Sequence, residues 1–153
     1  MKTLSLINEF FAQERFALVG VSRSERDFSR LLFKEFTQRG YDVVPVNPHV
    51  DEIESRKCYP SILDVNPRVN SVLLMTSEIM TKHVLEECSE SGVTLAWVYG
   101  ISGRNVDPRT IQYCEDHGIR IVAGYCPFMF LPNAAMFHRL HGWVWNVIGY
   151  YPN

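Results

Sequence analysis

Phe16-Ala-Leu-Val-Gly-Val-Ser-Arg-Ser24 and, about one helix later, Tyr41-Asp-Val-Val-Pro-Val-Asn-Pro48 decide the reading of this chain. Each opens as a short apolar run, the pattern of a strand covered on both faces. The first run meets Gly20, where a residue without Cβ lets the backbone turn and approach a ligand closely. Between the runs Phe28, Leu31, Leu32 and Phe36 recur at helical spacing, and Gly40 stands where a helix C′ residue belongs. Strand, glycine turn, amphipathic helix and second strand make a βαβ unit of the nucleotide-binding kind. A dinucleotide reader ends that second strand in Asp or Glu, which holds a ribose 2′-hydroxyl. This chain ends it in Asn47-Pro48, which argues against plain NAD.

Outward from that unit, the alternation continues. Leu6, Ile7, Phe10 and Phe11 mark a short amphipathic helix from Thr3 to about Gln13. A polar stretch from Asn47 to Pro67 is long for a connection, with room for a short helix or strand, and long ordered loops often carry function. Ser71 to Met75 gives a third strand. Glu78 to Ser91 gives a helix with Met80, Val84, Leu85 and Cys88 on one stripe and Gly92 closing it. Thr94 to Val98 and Ile119 to Ala123 are the fourth and fifth strands, separated by a helix that Asp107-Pro108 opens. The expectation is an α/β fold: one doubly wound parallel sheet of about five strands, in the order 3-2-1-4-5, without hairpins between them. An extra aromatic helix is expected from about Asn133. The whole of 1–153 reads as one domain, with a core at 14–126 and a C-terminal extension at 127–153.

Composition narrows the function classes. A chain of 153 residues with 46% hydrophobic and 21% charged residues is ordinary for one globular domain. A net charge of −2 provides no basic field for nucleic acid or an anionic membrane, and no apolar run reaches membrane-spanning length. Four cysteines without CxxC spacing fit reduced thiols in a cytoplasmic protein. His138 and His141 lie three apart in the tail, but no third ligand accompanies them, so no metal site is read.

Open parallel sheets bind ligands at the carboxyl ends of their strands. At the first such end, Gly20 frees backbone amides to meet a phosphate, Ser22 adds a hydroxyl, and Arg23, Arg26 and Arg30 add positive charge. Arg26 and Arg30 suit a solvated helix face equally well. Asn47-Pro48 suits a base or ribose contact, and it also suits a plain turn.

Three segments together carry a family resemblance: Phe16-Ala-Leu-Val-Gly-Val-Ser-Arg, Gly40-Tyr-Asp-Val-Val-Pro-Val-Asn-Pro, and Glu52-Ile with Cys58-Tyr-Pro-Ser-Ile-Leu-Asp. With Ala96-Trp97 and Gly118-Ile-Arg-Ile-Val they resemble the CoA-binding domain family over about residues 14–126. That family comprises small Rossmann-like proteins similar to the nucleotide domain of the succinyl-CoA synthetase α subunit. The resemblance implies CoA or an acyl-CoA across the strand ends. Gly20, Val21, Ser22 and Arg23 would approach phosphates, and Val46, Asn47 and Pro48 would border the adenosine. Thr76 and Ser77 would line the pyrophosphate or pantetheine path, Arg26 or Lys57 would meet a 3′-phosphate, and Tyr99 and Gly100 would complete the site. Where the family usually carries glycine after Glu-Ile-x, this chain carries Ser55. The leading expectation is a non-catalytic binding module. The alternatives are an NAD(P)-binding or acyl-CoA-utilising enzyme with Cys126 near the site, and an interaction protein with a vestigial site that dimerises through the C-terminal aromatic segment.

Overall fold

The computed structural model describes residues 3–99 and 106–131. Five parallel strands form the central sheet: β1 (Arg15–Val19), β2 (Asp42–Val46), β5 (Ser71–Leu74), β6 (Leu95–Val98) and β7 (Arg120–Ala123). Among the described residues, four helices flank it: α1 (Thr3–Ala12), α2 (Phe28–Gln38), α3 (Glu78–Ser91) and α4 (Pro108–Asp116). The α/β class, the strands and the helices thus follow the sequence reading. Among the described residues, no helix is long and apolar enough to cross a membrane.

The strand order is a correction. The sheet runs β2-β1-β5-β6-β7, so the third long strand lies inside, against β1, and not outside β2 as the order 3-2-1-4-5 required. Pro45 supplies the reason. Even-numbered residues of β2 face β1, as the Gly20 N–H to Val46 carbonyl bond at 3.0 Å shows, so Pro45 points its missing N–H outward. A strand with proline on one side cannot sustain a ladder there and belongs at an edge. Among the described residues, only Tyr59 pairs with that edge: its N–H donates to the Pro45 carbonyl at 3.0 Å, and its carbonyl accepts from Asn47 N–H at 2.9 Å.

The polar stretch after β2, read as having room for a short helix or strand, holds a small antiparallel hairpin of β3 (Glu52–Ile53) and β4 (Arg56–Lys57), a pairing the sequence reading did not specify. Its two turn residues, Glu54 and Ser55, have φ of 49° and 61°. Ser55 thus stands in the left-handed conformation that a two-residue hairpin turn asks of glycine or asparagine. A 3-10 turn over Ile62–Asp64 follows.

Two apolar cores sandwich the sheet. On one face α1 and α2 enclose Phe10, Phe16, Phe33, Phe36 and Trp97, all fully buried, and the short 3-10 turn Pro127–Phe130 packs there as well. On the other, Val84, Leu85 and Cys88 of α3 meet Val19, Val72, Leu74 and Ala96. Two helix stripes differ from expectation by one position. In α2 the buried side is Ser29, Arg30, Leu32, Phe33 and Phe36, with Leu31 exposed. In α3 Thr81 takes the buried place expected of Met80, which is exposed. The expected C-terminal aromatic helix, the histidine pair 138/141 and Gly100 lie outside the described residues.

Candidate functional site

Parallel pairing places the carboxyl ends of all five strands along one crest. The chain leaves β1 toward β2 on one side, and β5 adjoins β1 on the other, so the crevice between the ends of β1 and β5 is the switch point where such folds take ligands.

Gly20 builds the floor of that crevice. It has φ of +93°, and a Cβ placed there would come within 2.5 Å of the Met75 carbonyl oxygen and 3.0 Å of Thr76 Cγ2. Glycine is therefore required twice, by conformation and by the close approach of the turns after β1 and β5.

Beyond Gly20, side chains shape the loop. Val21 is fully buried, backbone and side chain alike, and presents no surface to a ligand in this conformation. Its carbonyl accepts from Asn47 Nδ2 at 2.7 Å, while Asn47 Oδ1 accepts from His49 N–H at 2.8 Å. The Asn47 carboxamide thus clips the turn after β2 to the turn after β1, with Pro48 exposed beside it and Val46 buried beneath. Ser22 N–H donates to Ser29 Oγ at 2.9 Å, and Ser22 Oγ accepts from Ser24 N–H at 3.1 Å. Arg23 and Arg26 are exposed, and Arg23 N–H meets no partner among the described residues.

The first turn of α2 is already furnished with a negative group. Asp27 is its N-cap, and its carboxylate accepts from Ser29 N–H at 2.9 Å. A phosphate cannot take that position as it does at an uncapped helix N-terminus. Arg30, expected either at a ligand or in solvent, does neither. It is buried to 6% exposure and donates from Nη1 to the carbonyls of Ser22 at 3.3 Å and Arg23 at 3.2 Å. Its Nη2 pairs with Glu54 of the hairpin turn. That hydrogen bond, with Lys34 at 3.5 Å, holds the Glu54 carboxyl below the usual glutamate range.

The other expected site residues spread along the crest. Thr76 Oγ1 lies 2.7 Å from Thr81 Oγ1, and Ser77 caps α3, accepting from Met80 N–H at 3.4 Å. Tyr99 belongs to an aromatic wall with Phe28 and Phe128, the ring centres standing 5.8 Å (Phe28–Tyr99) and 5.4 Å (Phe28–Phe128) apart. Lys57 sits 4.8 Å above the Tyr59 ring at the outer edge of β2, occupied in a cation–π contact. The crest so gathers Gly20–Arg23, Asn47, Thr76, Ser77 and Tyr99, while Lys57 stands at its flank.

Sequence reading passed over Glu54, Phe28 and Phe128, and it left Arg30 undecided. One signal was available: Arg30 precedes Phe33 by three residues and so falls on the apolar stripe, where an arginine demands a buried partner.

Cys126 lies under the wall, and burial pushes its thiol above the ordinary cysteine range, which opposes a thiolate nucleophile at neutral pH. Cys58 is likewise raised by burial, and burial lifts Cys88 to about 12 and Cys114 to about 11. All four thiols are free. Among the described residues, no cluster of His, Cys, Asp and Glu could hold a metal ion.

Comparison with known proteins agrees with the fold and places the chain in a family. The chain is 28% identical over 128 residues to the ADP-forming acetate–CoA ligase II of Archaeoglobus fulgidus, a match covering 78% of this chain and 19% of the ligase. It is 25% identical over 114 residues to the protein YneT of Bacillus subtilis, covering 74% of this chain and 82% of YneT. A hypothetical protein of Pyrococcus horikoshii superimposes with a TM-score of 0.72 at 27% identity, covering 83% of this chain and 87% of that one. Against the first two ligases it matches, the chain spans only 19% and 16% of their length. The family description "CoA binding domain" matches residues 14–132, and the chain belongs to that family.

Proposed function

We propose that the protein binds CoA or an acyl-CoA at the crest and that its described residues supply binding without chemistry. The observation that carries this reading is the combination of family membership over residues 14–132 with an Arg23 amide that meets no partner among the described residues, on a loop where Arg23 and Arg26 are exposed. An amide donor beside two cations suits a phosphate group, and guanidinium forks suit its oxygens. Asn47 supports the reading indirectly: its carboxamide fixes the loop that would meet the phosphate. With no acid at the end of β2, nothing is offered to a ribose 2′-hydroxyl in the NAD manner.

Two further observations favour binding over catalysis. Burial raises the Cys126 thiol, which opposes a thiolate nucleophile at neutral pH. The ligase relatives are far longer than this match, so their overall reaction is not carried over with it.

Isothermal calorimetry of protein stripped of small molecules tests the reading. CoA is expected to bind with micromolar or tighter affinity and NAD(H) not at all; heat with NAD(H) and none with CoA would overturn it. Thiol labelling at pH 7 is expected to leave Cys126 unmodified, and rapid labelling would revive the enzyme reading. The dimer expected through the C-terminal aromatic segment remains a proposal for light scattering.

A further inference from the structure

Burying a guanidinium is costly unless its donors are met. Arg30 is nevertheless 6% exposed in the apolar stripe of α2, and its Nε has no hydrogen-bond partner among the described residues. Fold stability alone gives no reason for this choice, because an apolar side chain of similar volume usually serves a core at least as well. The arginine's other contacts indicate what it does. Two consecutive carbonyls, those of Ser22 and Arg23, turn inward to Nη1 at 3.3 and 3.2 Å.

In a trans peptide the N–H points opposite to the C=O. A Ser22 carbonyl drawn toward the interior therefore sends the Arg23 N–H outward to the exposed side of the crest. The next amide, Ser24 N–H, is turned the same way and is engaged by Ser22 Oγ at 3.1 Å. Of these two amides, that of Arg23 meets no partner among the described residues and is left to a ligand. Glu54 then fixes the guanidinium from the far side, so the β3–β4 hairpin and the β1–α2 loop share one clamp.

The geometry points to Arg30 as a positioning residue for the phosphate contact: it orients the Arg23 amide from beneath without touching the ligand, and Glu54 holds it in register. This rests on the CoA reading above, and it assigns to Arg30 and Glu54 a role in affinity for phosphate-bearing ligands in particular. It also accounts for the left-handed φ of Glu54 (49°), which brings a carboxylate back over α2 from a turn that would suit glycine better.

The test compares unaltered protein with Arg30→Met and Glu54→Gln by calorimetry against CoA, ADP and phosphate-free pantetheine, with the Arg23 and Ser24 amides followed by NMR. Arg30→Met is expected to weaken CoA and ADP at least tenfold, to leave pantetheine within twofold, and to shift both amide resonances. Glu54→Gln, on an exposed turn that tolerates change, is expected to weaken CoA about threefold with the fold intact. Equal CoA affinity in all three proteins would overturn the assignment while leaving CoA binding standing. A parallel loss for CoA and pantetheine would mark general disorder of the crest and would also overturn it. No CoA binding by the unaltered protein would overturn the reading beneath it, and the assignment with it.

Discussion

The turn after β1 and the turn after β5 meet at Gly20, yet they are built from opposite chemistry. The first is wired with charge: Asp27 caps α2, Arg30 holds two carbonyls and Glu54, and Arg23 and Arg26 stand exposed above. The second is closed by hydroxyls, with Thr76 against Thr81 at 2.7 Å and Ser77 capping α3 at 3.4 Å. Charged contacts respond to pH and ionic strength, and neutral ones do not. The difference bears on where the proposed ligand's phosphate would go. The Asp27 carboxylate already complements the α2 dipole, so the first helix end cannot serve as an anion site in the usual way. Under the CoA reading, the contact would move to the loop before the helix, at the Arg23 amide. The hydroxyl-lined turn is the fixed platform against which that loop is set.

The contact point itself gives the largest expected effect. Gly20→Ala forces a Cβ to within 2.5 Å of the Met75 carbonyl and holds a non-glycine residue at φ +93°. A left-handed conformation costs about 1–2 kcal/mol and the clash adds to it, so destabilisation of about 3 kcal/mol is expected. For a chain of this size that lowers Tm by on the order of 10 °C, measurable by calorimetric or dichroism melting. A loss below about 1 kcal/mol would mean the two turns are not held together at this residue.

The caps come next and sharpen the contrast. Asp27→Ala removes the acceptor of Ser29 N–H and the anchor of the Ser29 hydroxyl, and should cost about 1–2 kcal/mol. Ser77→Ala removes one long hydroxyl contact and should cost about 0.5 kcal/mol. The Asp27 loss is expected to shrink in 1 M salt, which screens a carboxylate at a helix end, while the Ser77 loss is not. Equal costs with equal salt response would erase the distinction drawn between the turns.

How much of this was legible in the sequence follows the same line. Local signals were readable because they act within a few residues. Gly20, Gly40 and Gly92 stood where turns and helix ends need positive φ, and Asp107-Pro108 opened α4 as its spacing required. The strand order failed because it depends on which edge of β2 is available, and one proline decides that. Pro45 was present in the sequence, and reading its missing N–H as an edge marker would have excluded the order 3-2-1-4-5. The hairpin escaped because Glu54-Ser55 lacks the glycine that announces such a turn, its left-handed backbone being supported instead by Arg30 and Lys34 across to Glu54. Asn47 was found by position, but its bonds to Val21 and His49 depend on how two separate turns meet, which spacing alone does not encode.

The smallest expected effect isolates the charged turn by pH. The Arg30 hydrogen bond, with the Lys34 charge, lowers the folded-state pKa of Glu54, so the unfolded chain takes up that proton first as pH falls. The stabilisation is then complete above the unfolded glutamate value and is lost as pH drops through the folded one. Equilibrium urea unfolding between pH 6 and pH 3 should therefore show a steeper acid loss in unaltered protein than in Glu54→Gln, with the two curves converging at the acid end. Because the Glu54 side chain is one-third exposed, at 33%, solvent screening keeps this gap small. Parallel curves would mean that the carboxylate contributes nothing through its charge. The hairpin would then be held by β-pairing, the burial of Ile53 and the Arg56–Asp42 ion pair, and the contrast between a charged and a neutral turn would rest on Asp27.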